Sequence, residues 1–238
     1  MNFDIHSHLI PNIDDGARSI AESAKMLQIL KDEGVDNILA TPHFYPSRSS
    51  LDSFLAKRSA SFDALLAEAE GKDLPAIHLG CELYYYRGMA DFADLAKLRI
   101  EGTDYILIEL PYGGVSDTTL DDILNFSINY GLTPIFAHLE RFGIFKGFKK
   151  AVAFVEAGNA LAQVNAYSFF DKRLKKYAAH LAKKNLISFL GSDLHSPEGD
   201  PMFRKALGHI KMLYPKALAK IEASADMLSK AINTTKGK

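Results

Sequence analysis

Short apolar runs rich in β-branched residues alternate along the chain with longer stretches whose apolar positions recur every three to four residues. Runs of the first kind predict strands, and 3.6-residue periodicity predicts amphipathic helices. Seven strands are predicted, over residues 2–6, 37–41, 76–82, 104–110, 133–138, 161–165 and 186–191. The chain therefore has a regular strand–helix rhythm.

Helices fill most of the intervals between these strands. Ser19 and Glu22 have the spacing of a capping box, which predicts a helix that begins there and ends at Gly34. A second predicted helix has an apolar face that includes Phe54 and ends at Gly71. Further helices are predicted over residues 119–130, 148–157, 171–184, 202–212 and 216–232, and the polar tail after the last one is expected to fray.

Alternation of strands with helices predicts a mainly parallel sheet. Seven strand–helix units occupy the 238 residues without a Pro-rich or Gly/Ser-rich linker between them. The sequence therefore predicts one α/β domain over residues 1–238, folded as a (β/α)7 barrel with one strand fewer than the common eight. An open doubly wound sheet is the alternative fold.

Composition narrows the class of protein. The chain is 47% hydrophobic and 24% charged, which is typical of a globular protein with a sizeable core. Its net charge of −1 gives no basic footprint for nucleic acid or an anionic membrane, and its one cysteine excludes an internal disulfide. Because no apolar run is as long as a membrane span and no signal-peptide pattern opens the chain, we expect a cytoplasmic protein.

Polar and titratable residues recur where the predicted strands end. His6 and His8 close the first strand, and period-two alternation directs both imidazoles to one side. The strand ends carry His6 and His8, then His43, Glu82, Glu109, His138 and Asn165, and finally Asp193 with His195. Barrel chemistry is located at strand ends, and polar groups among apolar residues need a partner or an ion. The pattern therefore predicts a metal site.

The donor types indicate the chemistry. A mixed imidazole and carboxylate set without thiolate suits Mn²⁺, Fe²⁺ or Zn²⁺. Clustered divalent ions activate water and stabilise charge on phosphate oxygens, which favours phosphoester hydrolysis. Arg141, three residues after His138, is placed to bind a phosphate through its guanidinium, and a salt bridge to a neighbour such as Glu140 is the alternative.

Four motifs stand at the predicted strand ends: D-x-H-x-H at residues 4–8, T-P-H at residues 41–43, an isolated Glu82, and S-D-x-H at residues 192–195. Together they resemble the polymerase-and-histidinol-phosphatase (PHP) family of metal-dependent phosphoesterases. Residues 6–16, followed by Glu22 and Ser23, are similar to the manganese-dependent bacterial protein-tyrosine phosphatases of capsule and exopolysaccharide operons. The resemblance covers essentially the whole chain and implies a distorted seven-stranded TIM-like barrel.

The resemblance also implies two or three divalent ions, with Mn²⁺ the first choice. Their nine ligands fall into three groups: His6, His8, Glu82 and Asp193; Glu82 again as a bridge, with Glu109 and His138; and Asp15, His43 and His195. Catalytic roles are implied for Asp15, His43, His195 and Arg141, and phosphate binding for Arg141, with Arg48 as the next candidate. Phe44 departs from the relatives, which leaves the shape of the substrate loop over residues 44–50 open.

The implied activity is hydrolysis of phosphotyrosine in proteins. The implied partner is the phosphorylated tail of a bacterial tyrosine kinase that regulates polysaccharide synthesis, so that contact with a membrane occurs only through the kinase and no nucleic acid is bound. One alternative is a small-molecule phosphatase of the histidinol-phosphate type. Another is an inactive module that binds the kinase tail, against which the complete ligand set argues.

Several other residues have simpler interpretations. Cys81 and Arg87 satisfy C-x₅-R, the signature of thiol-based tyrosine phosphatases, but the bulky loop between them cannot wrap a phosphate. We interpret His78 as a core histidine, and His180 as part of a solvated basic helix face. The carboxylates of Asp4 and Asp14 are expected to accept the free N–H groups of ligating histidines.

Overall fold

The computed structural model describes residues 1–236, in which parallel strands alternate with helices. The strands are β1 (Phe3–Ser7), β2 (Asn37–Ala40), β3 (His43–Phe44), β4 (Ala76–Leu79), β5 (Glu82–Tyr84), β6 (Tyr105–Glu109), β7 (Thr133–Phe136), β8 (Leu161–Asn165) and β9 (Ile187–Gly191). The α-helices are α1 (Ile20–Asp32), α2 (Leu51–Ala69), α3 (Asp117–Tyr130), α4 (Phe148–Glu156), α5 (Lys175–Lys183), α6 (Phe203–Leu213) and α7 (Pro215–Lys236).

The strands form a closed barrel. One sheet has the order β1-β2-β4 and the other β3-β5-β6-β7-β8-β9, and every pair is parallel. The N–H of Asp193 donates to the carbonyl of His6 (2.8 Å), and the N–H of His8 donates to Leu194 (3.0 Å), which joins the edge at β9 to β1. The predicted barrel is confirmed, and the open sheet is excluded.

The strands predicted over residues 37–41 and 76–82 are each broken in two. Pro42 has no N–H to donate, and a side chain at Gly80 would place its Cβ 3.1 Å from the Thr41 methyl group. Hydrogen bonds continue across the break, from Gly80 N–H to Ala40 (2.9 Å) and from Glu82 N–H to Pro42 (3.1 Å). The nine strands therefore occupy seven positions around a distorted barrel.

The helices differ from expectation mainly at their ends. Ser19 caps α1 as predicted, but the Glu22 carboxylate accepts the N–H of Arg18 rather than that of Ser19. No α-helix lies between β5 and β6 in the described chain, where Met89–Asp91 and Ala93–Leu98 form two 3₁₀ helices. Helix α7 continues through part of the predicted frayed tail, and the last two residues lie outside the described range.

Apolar side chains fill the barrel at the end where the strands begin. Ile5, Leu107 and Ile135 point inward there and pack with Leu228 and Ile232 of α7. Helix α7 thus covers this end, and the other end, where the strands finish, is left for polar side chains. None of the helices within residues 1–236 has the length and apolar character needed to cross a membrane.

Candidate metal centre

The nine predicted ligands lie together at the end of the barrel where the strands finish. They stand on or just after β1, β3, β5, β6, β7 and β9, and parallel strands bring these ends to one rim. Most of their side chains are buried, whereas that of Asp15 is 71% exposed and that of His195 34% exposed. The site is therefore closed at its base and open to solvent on one side.

His6 and His8 point the same ring nitrogen at a common position. Their Nε2 atoms are 3.2 Å apart, and each Nδ1 has its own partner: Gln163 Oε1 for His6 (3.0 Å) and Asp14 Oδ2 for His8 (2.7 Å). Because amide and carboxylate oxygens accept hydrogen bonds, each Nδ1 carries a proton, and each Nε2 presents a lone pair when its ring is neutral. Two lone pairs that face each other at this distance fit a shared cation.

Glu82 lies at the centre of the cluster and is completely buried. Its Oε2 is 3.1 Å from His6 Nε2 and 2.9 Å from His43 Nδ1, and its Oε1 is 3.0 Å from His138 Nε2. Within residues 1–236, neither Glu82 Oε2 nor His43 Nδ1 has a hydrogen-bond partner of acceptable geometry. Buried oxygen and nitrogen atoms that lie this close without a hydrogen bond between them are suited to ligate a divalent ion.

Two more carboxylates complete the buried part. Asp193 Oδ1 is 3.6 Å from His6 Nε2 and 3.4 Å from His8 Nε2, so it faces the same position as these histidines. Glu109 Oε1 is 3.5 Å from His138 Nε2, and Glu109 Oε2 is buried without a hydrogen-bond partner in the described chain. Burial and the charge of Glu82 raise the pKa of Glu109, because both disfavour its ionised form. A bound cation would offset that cost of ionisation.

The open side of the site is formed by Asp15, His43 and His195. Asp15 Oδ1 is 3.8 Å from His43 Nε2 and 3.7 Å from His195 Nε2. The Nδ1–H of His195 donates to the carbonyl of Asp193 (2.9 Å), which leaves Nε2 free to ligate. The His195 ring also stacks on His8, with centroids 3.8 Å apart.

The structure groups these donors somewhat differently from the sequence-based assignment. Ligand atoms lie within 4.8 Å of one another in four sets: His8, Asp15, His43 and His195; His6, His8 and Asp193; His6, Glu82 and His138; and His43, Glu82 and Glu109. His6, His8, His43 and Glu82 each belong to two of these sets. All nine residues belong to one continuous cluster, and its imidazole and carboxylate donors suit divalent ions.

Burial and neighbouring charges shift the pKa values of the cluster in opposite directions. Burial acts to lower the pKa of His6, but the carboxylates of Glu82 and Asp193 outweigh it and raise that pKa to about 9. Burial acts to raise the pKa of Glu82 and of Asp193, and the neighbouring histidines outweigh it and hold both values well below the usual range. Protons on His6 and His8 thus balance the buried carboxylates, whereas burial lowers the pKa of His138 to about 4.

Gln163 hydrogen-bonds to the candidate metal centre and was missed by sequence reasoning. Its Oε1 accepts from the Nδ1–H of His6 (3.0 Å) and from the backbone N–H of His138 (2.6 Å). Its Nε2 donates to Asn165 (2.7 Å), whose Nδ2 donates to Asp193 (2.8 Å). The sequence did contain a signal. Gln163 lies between two apolar residues of a predicted strand, two positions before Asn165, so both side chains are expected on the same face of that strand.

Backbone geometry also positions the ligands. His138 (φ 32°) and Asp193 (φ 54°), each two residues after the end of β7 or β9, adopt the left-handed region, a conformation that costs free energy and is common at functional sites. A Cβ at Gly191 would lie 2.6 Å from Gln163 Nε2 and 2.7 Å from His6 Cβ. Glycine is therefore required where β9 passes these two side chains.

The two predicted supporting carboxylates have different roles. Asp14 accepts from His8 as expected, and it also accepts the backbone N–H of His43 (2.9 Å). The expectation for Asp4 is wrong. Asp4 Oδ1 accepts the backbone N–H groups of His6 (3.2 Å) and Ser192 (2.8 Å), so it stabilises the closure of the barrel and not an imidazole.

Arg141 reaches the rim but not the partner named as the alternative. Its Nη1 donates to Asp193 Oδ2 (3.0 Å), and its Nη2 donates to the Tyr112 hydroxyl (3.3 Å). Glu140 instead faces the interior, where it accepts from Ser168 (2.7 Å) and from the N–H of Asn165 (3.1 Å). About a third of the Arg141 side chain is exposed beside the cluster.

Three tyrosine rings line one side of the site between His43 and Arg141. Tyr45 packs 4.9 Å from the His43 ring, Tyr84 lies 5.5 Å from Tyr45, and Tyr112 lies 6.4 Å from Tyr84. We call Tyr45, Tyr84 and Tyr112 the tyrosine row. The Tyr112 hydroxyl also donates to Glu109, which links the row to the cluster.

The loop that follows His43 adds one exposed cation. Arg48 stacks over the Tyr45 ring at 4.3 Å and lines a cleft of about 230 Å³ that also includes Asp14 and His43. Phe44, whose presence left the shape of this loop open, is buried and packs against Phe54 at 4.9 Å. It therefore belongs to the core and not to the wall of the site.

The remaining candidates lie outside the cluster. Cys81 is completely buried, burial raises the pKa of its thiol, and Arg87 is exposed, so the two residues form no phosphate loop. His78 is buried at 3.1 Å from Asn37 Oδ1 and 3.3 Å from Glu101 Oε1, as expected of a core histidine. His180 is exposed on α5, as predicted.

Fold and donor set together define a metal-binding α/β barrel. The chain belongs to the CpsB/CapC family of capsular polysaccharide synthesis, whose model matches residues 2–227. The capsule and exopolysaccharide family that residues 6–16 resemble is thereby confirmed.

Two relatives illustrate the similarity in sequence. Tyrosine-protein phosphatase YwqE of Bacillus subtilis is 30% identical over 201 residues, which are 81% of this chain and 77% of that protein. Tyrosine-protein phosphatase CpsB of Streptococcus agalactiae is 27% identical over 212 residues, or 84% and 85% of the two chains.

Solved structures show the same barrel. One match is from a crystallographic study of YwqE from Bacillus subtilis and CpsB from Streptococcus pneumoniae, which are unique metal-dependent tyrosine phosphatases. It has a TM-score of 0.78 and 25% identity, and it covers 97% of this chain and 94% of that one. Histidinol phosphate phosphatase of Lactococcus lactis matches with a TM-score of 0.56 and 16% identity over 94% and 93%. The second match shows the shared fold alone.

Proposed function

We propose that this chain is a metal-dependent tyrosine-protein phosphatase of capsular polysaccharide synthesis. The observation that carries the proposal is the cluster of nine buried and rim donors beside the Arg141 guanidinium and the tyrosine row. Family membership and the similarity to YwqE and CpsB support the same activity.

The cluster would hold two or three divalent ions, Mn²⁺ by preference, with Fe²⁺ or Zn²⁺ as the alternatives. We assign His6, His8, Glu82 and Asp193 to the first, Glu82, Glu109 and His138 to the second, and Asp15, His43 and His195 to the third. When bound, such ions activate water at neutral pH and stabilise charge on phosphate oxygens. The close approaches of Glu82 to His6 and to His138 support its role as the bridge.

The chain's own residues bind and orient the phosphate ester. Arg141 presents two nitrogens at the rim, and its ion pair with Asp193 holds the guanidinium toward the cluster. Planar guanidinium groups bind two phosphate oxygens at once and stabilise the charge that develops on them. Asp15, His43 and His195 surround the solvent-accessible side, where the reacting phosphate enters, and Arg48 adds positive charge next to it.

The tyrosine row favours an aryl phosphate over the small alkyl phosphate of the histidinol type. Aromatic rings pack favourably with their centroids 4.5–7 Å apart. The phenyl ring of a substrate that enters beside Tyr84 would contact Tyr84 and a neighbouring ring of the tyrosine row. Phosphotyrosine offers that ring, whereas phosphoserine and histidinol phosphate carry their phosphate on an aliphatic carbon. The row thus supplies the selectivity that the donor cluster alone lacks.

The physiological substrate we propose is the phosphotyrosine-containing tail of a bacterial tyrosine kinase that regulates capsule or exopolysaccharide synthesis. The enzyme would act in the cytoplasm and meet the membrane only through that kinase. Its place in a capsular polysaccharide family supports this partner. The near-neutral net charge of −1 supports the expectation that nucleic acid is not a ligand.

A substrate panel tests the proposal. With Mn²⁺ present, we expect turnover of a phosphotyrosine peptide and of p-nitrophenyl phosphate to exceed that of a phosphoserine peptide and of histidinol phosphate, and a chelator to abolish it. Preference for histidinol phosphate would support the small-molecule alternative. Absence of turnover on every substrate in metal-replete protein would support the inactive binding module.

A further inference from the structure

A groove lies between α4 and α5, outside the candidate metal centre. It has a volume of about 570 Å³ and is lined by side chains that include Phe148, Lys149 and Glu156 of α4 and Lys176, Tyr177 and His180 of α5. We call it the basic groove. It includes the basic helix face around His180, which is not part of the candidate metal centre.

The surface around the basic groove is strongly positive on a chain whose net charge is −1. Residues 141–184 contain ten of the 28 Lys and Arg residues of the chain but only two of its 29 Asp and Glu residues, namely Glu156 and Asp171. Lys184 pairs with Glu156. Within residues 1–236, Lys149 and Lys176 form no ion pair with a carboxylate, so both ammonium groups are available to an anionic ligand.

The floor of the groove is aromatic. Phe148 and Tyr177 meet edge to face with ring centroids 5.3 Å apart, and the Lys176 ammonium lies 4.8 Å from the Tyr177 ring. Both rings are half-buried. A concave surface with aromatic faces and unpaired ammonium groups suits a peptide that carries acidic or phosphorylated side chains.

The groove is physically joined to the segment that carries Arg141. The Tyr177 ring packs directly on Gly143 in the 3₁₀ helix Leu139–Ile144, so closely that a Cβ at residue 143 would lie 2.2 Å from the ring. In a β/α barrel the beginnings of the helices follow the strand ends. The first turns of α4 and α5, which line one end of the basic groove, therefore lie on the side of the barrel where Arg141 is located.

We propose that the basic groove binds the acidic or phosphorylated segment that flanks the reacting phosphotyrosine in a protein substrate. The inference rests on the proposed function, because it assigns the groove to a part of that substrate. An extended polypeptide fits a concave groove, whereas a flat anionic membrane would meet the exposed rim of lysines and leave Phe148 and Tyr177 uncovered. The groove would make selectivity depend on sequence around the phosphotyrosine.

Kinetics on matched substrates test the groove. The variant is Lys149→Glu/Lys176→Glu, and the control is Lys211→Glu/Lys216→Glu, which reverses two exposed lysines on α6 and α7. For a peptide with a second phosphotyrosine and flanking glutamates, we expect the groove variant to raise KM about tenfold with kcat unchanged. For p-nitrophenyl phosphate and a phosphotyrosine peptide flanked by alanines, KM should change less than about twofold.

Direct binding separates failure of the groove from failure of the proposed function. The probe is the same acidic peptide with non-hydrolysable phosphonomethyl-phenylalanine at both positions, measured by fluorescence anisotropy on the metal-loaded protein. Weaker binding to the groove variant alone supports the groove even if no substrate is turned over, in which case only the phosphatase proposal fails. Equal KM and equal binding in wild type, groove variant and control overturn the groove. The groove proposal is also overturned, in favour of a membrane contact, if the groove variant loses binding to phosphatidylserine vesicles but binds the peptide as the wild type does.

Discussion

Arg141 shows how single residues at the rim combine two contacts. Its guanidinium donates to Asp193 and to Tyr112, so one planar group bridges a candidate metal ligand and the tyrosine row. Asp193 keeps a second partner in Asn165 (2.8 Å), so its position does not depend on Arg141 alone. Loss of Arg141 should therefore affect phosphate binding more than metal binding.

We predict that Arg141→Ala lowers kcat/KM for phosphotyrosine substrates by about two orders of magnitude, the scale of losing one transition-state donor. Arg141→Lys should recover only part of the loss, because an ammonium lacks the planar fork. Metal content and melting temperature should stay near wild type, and Arg87→Ala should have no effect on activity. Unfolding of Arg141→Ala would instead show that its ion pair is structural.

The Gln163 side chain sets the proton position on His6. We predict that Gln163→Met lowers metal affinity about tenfold to a hundredfold, the effect of removing a partner that orients a ligating histidine. Metal titration of chelator-stripped protein gives the measurement, and Gln28→Met, an exposed exchange on α1, is the control. Unchanged affinity in Gln163→Met would mean that barrel packing alone orients the ring.

Cys81 separates the two chemistries known for tyrosine phosphatases. Its thiol is buried and has a raised pKa, so it carries no thiolate at neutral pH. We predict that Cys81→Ala retains most activity and that thiol alkylation leaves wild-type turnover intact. Loss of activity in Cys81→Ala with its metal content and melting temperature preserved would contradict the metal mechanism.

Among the structural elements, the 3₁₀ helix Leu139–Ile144 has the sharpest division of roles. Consecutive residues point to opposite sides, Arg141 to the rim and Glu140 to the interior behind β8. Burial raises the pKa of Glu140 to about 7, despite hydrogen bonds from Ser168 and from the Asn165 amide that favour its charged form. The ionised form of this carboxyl therefore costs stability in the folded chain.

We predict that Glu140→Gln becomes more stabilising, relative to wild type, as the pH rises. An unfolded Glu ionises near its ordinary pKa of 4.5, whereas the folded group keeps its proton up to about pH 7. Between these values the native state binds more protons, so rising pH lowers wild-type stability, by about 3 kcal/mol at most. Urea unfolding of chelator-treated protein at both ends of this range measures the difference, and a pH-independent difference would contradict it.

At the scale of the whole molecule, the barrel gathers four carboxylates and five histidines from segments that are remote in sequence. Without cations, the charges of this cluster are balanced by protons on histidines such as His6. Binding of a divalent ion must displace those protons, because only the deprotonated nitrogen ligates. Metal binding and folding are therefore linked to pH.

We predict that adding Mn²⁺ to chelator-stripped protein near neutral pH releases protons and that apparent affinity rises toward the pKa of His6, about 9. The melting temperature should rise by about 5–10 °C when the free metal is a hundredfold above Kd. A pH-stat titration and a thermal melt give the two readouts, with Na⁺ as the control. Proton-free binding of Mn²⁺ would show that the ion enters elsewhere.

Much of this architecture was predictable because it follows from local pattern. The apolar runs placed all seven strand positions, and parallel strands direct their ends to one rim, so His6, Glu109 and His138 could be expected to meet. The breaks at residues 41–42 and 80–81 could not be predicted, because they depend on the fit between neighbouring strands rather than on either strand alone.

The sequence by itself determined the strand–helix rhythm, the donors at the strand ends and the family. Only the tertiary structure decided which side chains meet: His6 with Gln163, 157 residues apart, Arg141 with Asp193, 52 residues apart, and Tyr84 with its neighbours in the tyrosine row. Strand and helix periods are set by bonds and sterics within a few residues, so they can be read along the chain. Contacts between distant segments depend on packing that brings their side chains within hydrogen-bond distance, and no local pattern records that packing.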